Sequence, residues 1–161
     1  MRLVKSNDIE GARQDYTAAL QADPQDANTW ALLSAVHSYA NEHTQAQAAT
    51  GHALRLSPLD PNLFLLQAYA AMADIGAGDY ASAVTHAQAS VRRHLLHSPS
   101  HILLVGALAL AGRDGEAKAA AQRALQVCPT IKTGLRGGRS STVHADWRDR
   151  LADAARSAGL P

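Results

Sequence analysis

Apolar and small residues recur three or four positions apart along most of this chain, between short polar segments that contain Pro or Gly. This spacing predicts amphipathic helices. In the first segment, Asp8 to Ala22, one stripe carries Ile9, Tyr16 and Leu20, and Pro24 follows the end of the helix. The chain is rich in Ala and has few β-branched runs, so we predict an all-α fold.

The helical segments repeat with a period of 34 residues. The equivalent positions are Ala12 and Ala46, Ala19-Leu20 and Ala53-Leu54, Pro24 and Pro58, and Ala83 and Ala117. A period of this size indicates two-helix repeats. Small residues let antiparallel helices approach closely, and the Pro ends the second helix. One unit cannot bury its apolar face alone, so we predict a solenoid whose inner surface is suited to a partner.

The pattern divides the chain into six segments. They are a partial first repeat (1–26), repeat 2 (27–60), repeat 3 (61–97), repeat 4 (98–131), a loop (132–145) and a C-terminal capping helix (146–161), on which Trp147, Leu151 and Ala154-Ala155 share one face. Because only seven residues precede the first helix, we expect its partner helix to be missing or a stub. Three residues are inserted between repeats 2 and 3, most easily at Ser57 to Pro61.

Repeat 2 resembles the tetratricopeptide repeat, whose consensus is W-x2-L-G-x2-Y followed by A-x3-F-x2-A-x4-P. The matching positions are Trp30, Leu33, Ala46, Ala53 and Pro58. Ser34 stands in place of the consensus Gly, and Thr50 in place of the aromatic residue. The resemblance covers residues 1–131 and implies a right-handed α-solenoid of helix-turn-helix repeats that serves as a non-enzymatic protein interaction scaffold.

Three segments carry a narrower resemblance. Leu56 to Phe64, the Gly78-Asp79-Tyr80 turn and Asp149 to Pro161 are similar to the C-terminal tetratricopeptide regions of bacterial class III adenylate/guanylate cyclases and winged-helix transcriptional regulators. In those families the catalytic or DNA-binding domain lies N-terminal, and this chain has no counterpart to it. The resemblance implies the regulatory C-terminal part of a bacterial signalling protein.

The resemblance also implies a binding groove, because in this family the first helix of each repeat lines the concave face. The corresponding residues are Asn28, Ala31, Ala35, Tyr39, Met72, Ile102 and Leu110. They are mostly small or apolar and, apart from Asn28, lack the Lys, Asn and Arg with which chaperone-tail clamps hold a terminal carboxylate. We therefore expect an amphipathic helix or an apolar extended segment as the partner. The alternatives are that residues 132–161 or a second copy of the chain fill the groove, or that the exposed first unit drives self-association.

Charge and composition limit the classes of partner and the kinds of protein that the chain can be. Fifteen basic and fourteen acidic residues give a net charge of +1, so no global field favours nucleic acid or an anionic membrane. Cys128 is the single cysteine, which excludes an internal disulfide. The N-terminus is too polar for a signal peptide, and the longest apolar stretch, Ile102 to Ala111, is too short to span a bilayer. We expect a soluble, cytoplasmic protein.

Few residues suggest a catalytic or metal-binding site. His94, His97 and His101 have the spacing of one helical face and suggest a metal site, but Ser98-Pro99 interrupts that face and no carboxylate or thiol lies near in sequence. Solvated histidines at a helix end are the favoured interpretation. No Ser-His-Asp or Cys-His spacing occurs, and we expect no catalysis, cofactor or metal.

Two arginine-containing segments could bind an anion or could be ordinary solvated segments. Arg136 to Thr142 has the Gly and Arg content of a phosphate cradle but not the ending of a P-loop, so a flexible linker is favoured. The pair Arg92-Arg93 is interpreted as a solvated face. Trp30 and Trp147 are expected to pack in the core.

Overall fold

The computed structural model describes residues 8–129, 131 and 146–161. Every regular element in these residues is an α-helix, which confirms the all-α prediction for the described part of the chain. The helices are α1 (Ile9–Ala22), α2 (Ala27–Tyr39), α3 (His43–Leu56), α4 (Leu63–Ala77), α5 (Tyr80–Arg93), α6 (Ser98–Leu110), α7 (Asp114–Val127) and α8 (Asp146–Ser157). The stub before α1 and the loop 132–145 lie outside the described residues.

Aspartate side chains fix where three of the helices begin. Asp8, Asp26 and Asp79 accept hydrogen bonds from backbone N–H groups of the first turns of α1, α2 and α5, at 2.8, 3.0 and 3.1 Å. Each such cap contributes about 1 kcal/mol to helix stability, because it satisfies a donor that has no partner within the helix. Gly78 is the C-cap residue, at which α4 ends. Its φ of 80° is a left-handed backbone conformation that favours glycine.

The helices pack in sequence order as antiparallel neighbours, from α1 on α2 through α6 on α7. In addition, the first helices of successive repeats contact each other directly, α2 with α4 and α4 with α6. The second helices, α3, α5 and α7, make no comparable contacts with one another in the described residues. The first helices therefore form the inner layer of a helical solenoid.

The alanines that define the 34-residue period lie where the helices cross. Ala46, Ala83 and Ala117, one from each of α3, α5 and α7, have 0% of their surface exposed. A methyl side chain allows two backbones to approach closely while still filling the space between them. Larger side chains, including Leu66 and Ile75 of α4, complete the core between the crossings.

A polar cluster ties the first two repeats together. Both guanidinium Nη atoms of Arg13 on α1 donate to the carboxylate of Glu42, at 2.7 and 2.9 Å. The Nδ1 atom of His37 on α2 lies 2.6 Å from the same carboxylate. The paired charges hold the pKa of Glu42 at about 2, with the hydrogen bond from Arg13 as the largest cause.

A second polar cluster occupies the corresponding place one repeat later. Asp74 stands 37 residues after His37, and Gln47 stands 34 residues after Arg13. Asp74 is buried and accepts a hydrogen bond from Nε2 of Gln47 at 2.9 Å, and its other oxygen lies 2.7 Å from Nδ1 of His86. The stacking at the first two repeat junctions is therefore fixed by a polar contact as well as by apolar burial.

Helix α8 spans Asp146–Ser157, within the 146–161 segment that the sequence assigns to a capping helix, and its position is more specific than that of an end cap. It packs against α6 and also contacts α4, both of which belong to the inner layer. An ordinary cap would instead continue the stack on α7. The alternative in which the C-terminal segment enters the groove thus agrees with the contacts of α8.

Candidate binding groove

The surface of α2, α4 and α6 on which α8 lies is called the inner groove below. Its floor includes Ala35, Ala68 and Gly106, one small residue from each of the three helices, and all three are buried. Small side chains leave room for the backbone of a further helix to approach the inner layer. This room is occupied by α8.

Trp147 anchors the first turn of α8. Its side chain is buried, and its indole Nε1 donates a hydrogen bond to the carbonyl oxygen of Ser38, 2.9 Å away. Ser38 lies in the last turn of α2, and its carbonyl oxygen also accepts a hydrogen bond from the backbone N–H of Asn41 at 3.2 Å. The indole therefore buries a large apolar surface while its own donor keeps a partner.

Tyr39 forms the wall beside this anchor. The centroid of its ring lies 6.0 Å from that of Trp147, with the two planes inclined by 44°. The guanidinium carbon of Arg148 lies 5.4 Å from the Tyr39 ring centroid, within the range of a cation–π interaction. One aromatic residue of α2 thus contacts two consecutive residues of α8.

Leu151 provides the second anchor, one helical turn after Trp147. A Cβ atom built on Gly106 would lie 3.1 Å from both Cγ and the carbonyl oxygen of Leu151, and closer still to Cδ1. Any side chain at position 106 would therefore push α8 away from α6. Ala155 follows one turn later with 0% exposure, so the positions i, i+4 and i+8 of α8 form one buried stripe.

The edge of the groove beside α3 carries a histidine. The imidazole of His43 lies against Gly76 of α4, where a Cβ atom would stand 2.8 Å from its Cε1. Burial lowers the pKa of His43, and the positive charge of Arg150 on α8 lowers it further. The neutral imidazole is therefore the form that suits the docked position of α8.

The structure brings together most of the residues that the sequence suggested for the groove. Those that belong to the same apolar cluster as Trp147 and Leu151, or pack against it, are Ala35, Tyr39, Met72, Ile102 and Leu110. Ala31 lies in a separate cluster between α2, α3 and α4. Asn28 is exposed, and its backbone N–H is bound to the Asp26 cap.

The groove also uses Ser38 and Gly106, which occupy concave-face positions of the repeat in the sequence, and the α8 residue Trp147, which the sequence assigned to a cap. The apolar stripe of α8 is visible in the sequence, but the sequence pattern does not identify the surface against which the stripe packs. The glycine inside the apolar run of α6 was the clearest available signal, since a mid-helix glycine often marks a close approach.

The three histidines of the repeat 3 to repeat 4 corner have different partners and are not all solvated, because His101 is buried. His97 Nδ1 lies 2.6 Å from Ser100 Oγ, and His101 Nε2 lies 2.8 Å from the carbonyl oxygen of Leu95. His94 is exposed, and its ring packs on Phe64 with centroids 4.5 Å apart. Across the described ranges, no three His, Cys, Asp or Glu side chains are grouped so that they could hold a metal ion.

Two further expectations concern membranes and phosphate. Among residues 8–129 and 146–161, none of the helices combines the length and the apolar character needed to cross a bilayer. The Arg136 to Thr142 segment, considered as a phosphate cradle or a linker, lies outside the described residues.

Comparison with known proteins supports the fold. No protein-family model matches this chain, and no curated protein matches it. Solved structures that resemble it include MamA, with 16% identity over 98% of this chain and 90% of that chain and a TM-score of 0.68. YrrB, described as a TPR protein with an unusual peptide-binding site, has 17% identity over 98% of this chain and 81% of that chain and a TM-score of 0.63. At these identities the likeness shows a tetratricopeptide-type helical solenoid, and it gives no support to the narrower resemblance to cyclases and winged-helix regulators.

Proposed function

We propose that this chain is a non-enzymatic interaction module that binds an amphipathic helix of a partner protein in its inner groove. The observation that carries the proposal is the seating of α8, because it identifies the chemistry that the groove accepts. The occupant is a short helix with a buried stripe of Trp147, Leu151 and Ala155. A partner helix with the same stripe would meet the same surface.

Each part of the groove selects for one feature of such a helix. The carbonyl of Ser38 accepts from an aromatic N–H, and Tyr39 favours a cation beside it. Gly106 admits a branched apolar side chain one turn later. The preferred partner is therefore a helix with Trp, Leu and a small residue at i, i+4 and i+8, and with Arg next to the Trp.

The peptide-binding site named for YrrB supports the same class of function at the level of the fold. The groove of this chain differs from a clamp for terminal carboxylates, since its suggested contact residues, such as Ala35, Met72 and Ile102, offer no cationic donors. A helix that buries apolar surface fits these side chains better than a charged chain terminus.

Occupation by α8 makes binding competitive. A tethered helix acts at an effective concentration on the order of millimolar, so a partner in trans must bind the groove more tightly or be present when α8 is released. When the partner is available, its helix would replace α8 in the inner groove, and the release of α8 would be the signal. This fits a regulatory part of a bacterial, cytoplasmic signalling protein, as the sequence suggests.

The test uses the full chain with Trp147→Ala and Leu151→Ala, which releases α8, and a fluorescent peptide of residues 146–161 added in trans. Fluorescence anisotropy should show binding to this variant at least tenfold tighter than to the unaltered chain. A control peptide with the same two alanine substitutions should not bind. Equal binding of both peptides, or binding of neither, would contradict the proposal.

Self-association is the second candidate, and the half-buried Ile9 and Tyr16 of α1 favour it, because they form an apolar edge on the first described helix. The module would then assemble copies of a larger cyclase or transcriptional regulator. Light scattering at high protein concentration separates the two candidates. A dimer mass that disappears with Tyr16→Asp would favour assembly, and a monomer mass throughout would exclude it.

A further inference from the structure

A second apolar surface lies on the side of α6 that faces away from the inner groove. Leu104 and Gly106 are two positions apart, and a helix turns by about 100° per residue, so they point to nearly opposite sides. Leu104 faces a cleft of about 320 Å³ between α5, α6 and α7. The walls of this cleft, named the corner cleft here, include Val91, Leu95, Ala120 and Val127.

The mouth of the corner cleft exposes large apolar side chains. Leu95 is 57% exposed, and the adjacent Leu96 is 70% exposed. Val127, on the other wall, is 38% exposed. In the described part of the chain, Leu59 is the one other large hydrophobic residue with comparable exposure. Exposed apolar residues that gather around a concavity mark a contact surface more strongly than scattered ones.

The rim of the corner cleft is positively charged. Arg123 lines it, and Arg92 follows Val91 in the last turn of α5. Neither of these two guanidinium groups forms an ion pair with any residue that the structure describes.

The acidic groups of this region are distant from the rim. Between positions 84 and 129 the acidic residues are Asp114 and Glu116, both in the first turn of α7. Arg123 lies seven to nine residues further along the same helix, about 10–14 Å away at the rise of an α-helix. Glu116 is also paired with Arg113 at 2.7 Å. The charge at the mouth of the cleft is therefore not neutralised by α7.

We propose that the corner cleft is a docking site for an acidic protein segment that inserts one large apolar side chain between α5, α6 and α7. A cavity of this size accommodates a side chain such as Leu or Phe, with the exposed Leu95 and Val127 at its mouth. Carboxylates on either side of that residue pair with Arg123 and Arg92, which raises the rate of encounter and selects against basic segments. This site is separate from the inner groove, and it gives a function to Arg92, one of the two paired arginines that the sequence left as a solvated face.

The test presents the full chain to two displayed peptide libraries. Both carry Leu or Phe at a central position; one surrounds it with Asp and Glu, and the other with Lys and Arg at the same positions. The acidic library should be enriched. A selected acidic peptide should bind Arg123→Glu at least tenfold more weakly than the unaltered chain, while Lys118→Glu, the same charge change elsewhere on α7, should alter its affinity less than twofold.

A second variant addresses the cavity itself. Ala120→Phe fills the cleft from α7 and should abolish binding of the selected peptide, with circular dichroism showing whether the helices are retained. If that variant does not fold, the Arg123→Glu and Lys118→Glu pair decides the question. The proposal is overturned if neither library is enriched, or if the selected peptide binds Arg123→Glu and Lys118→Glu with equal affinity. It is also overturned if phosphatidylserine vesicles bind the chain through Leu95 and Leu96 while the acidic peptides do not bind.

Discussion

The indole Nε1 of Trp147 lies 2.9 Å from the carbonyl oxygen of Ser38, and this hydrogen bond joins positions 109 residues apart in the chain. It connects the beginning of the C-terminal helix to the end of the first helix of repeat 2. Because α8 also packs on α6 and contacts α4, it crosses the inner layer of all three complete repeats. A segment that the sequence assigns to an end cap therefore lies in the inner groove, the surface that we propose for a partner helix.

Substitution of Trp147 should release α8. We expect Trp147→Ala to cost about 3 kcal/mol through lost burial and Trp147→Phe about 1 kcal/mol through the lost hydrogen bond. Hydrogen exchange of the α8 amides measures this release. Trp30→Phe is the matched control, because Trp30 Nε1 also donates to a backbone carbonyl, that of Pro24 at 2.9 Å, but away from α8. If α8 exchanges equally fast in all three variants, Trp147 does not anchor it.

The contact of Gly106 with Leu151 predicts non-additive substitutions. Gly106→Ala should destabilise the chain by about 1–3 kcal/mol through overpacking, and Leu151→Ala by about 2–4 kcal/mol through lost burial. In the double variant the new methyl group enters the space that Leu151 leaves, so the combined cost should fall below the sum. Urea unfolding provides the four free energies. Gly115→Ala, where no atom lies within 4 Å of the added Cβ, should cause no loss, and strict additivity at 106 and 151 would rule out the contact.

Acid should weaken the junction between α1 and α2. The pKa of Glu42 is lowered from 4.5 to about 2 in the folded chain, so its contribution is complete above pH 4.5 and is lost as the pH falls toward 2. Since Glu42 is partly exposed, we expect a contribution of about 1–2 kcal/mol after solvent screening. Unfolding free energies at pH 7, 4 and 3 should converge for the unaltered chain and Glu42→Gln. Parallel pH curves for the two proteins would contradict this assignment.

The buried carboxylate of Asp74 should matter more than an exposed one. Asp74→Ala removes the acceptor of both Gln47 and His86 and should cost about 3 kcal/mol, because buried polar groups lose their partner. Asp114→Ala, an exposed acidic residue in the first turn of α7, should cost less than about 1 kcal/mol. Thermal unfolding of the two variants gives the comparison, and similar midpoints would show that the Asp74 cluster does not stabilise the repeat junction.

The repeat architecture was predictable because its signals are local and periodic. The alanines at 46, 83 and 117, the Asp caps and the Pro two residues after α1, α3 and α7 act within one or two turns. The C-terminal helix was also predictable over Asp146–Ser157, since Trp147, Leu151 and Ala155 share one face. Each of these features depends on helical spacing, which a sequence displays directly.

The partner of α8 could not be deduced in the same way. An apolar stripe indicates that one face of a helix is buried, but it does not identify the surface that buries it. That surface is determined by contacts between residues far apart in the sequence, here Ser38 with Trp147 and Gly106 with Leu151. The pattern also could not separate Ala31, which lies between helices of adjacent repeats, from Ala35, which packs in the groove cluster. Both are small residues one helical turn apart on α2, so their spacing in the sequence does not distinguish them.

The most direct test locks α8 in place. The variant Gly106→Cys, Leu151→Cys and Cys128→Ser places one thiol on each side of the observed contact, and oxidation should join α8 to α6. A fluorescent 146–161 peptide with Leu151→Ala, which leaves room for the side chain at position 106, is then tested for binding to the same protein before and after reduction. We predict at least tenfold tighter binding in the reduced form, because only that form can vacate the inner groove. Equal binding in the two forms would show that a helix is not recognised there and would contradict the account.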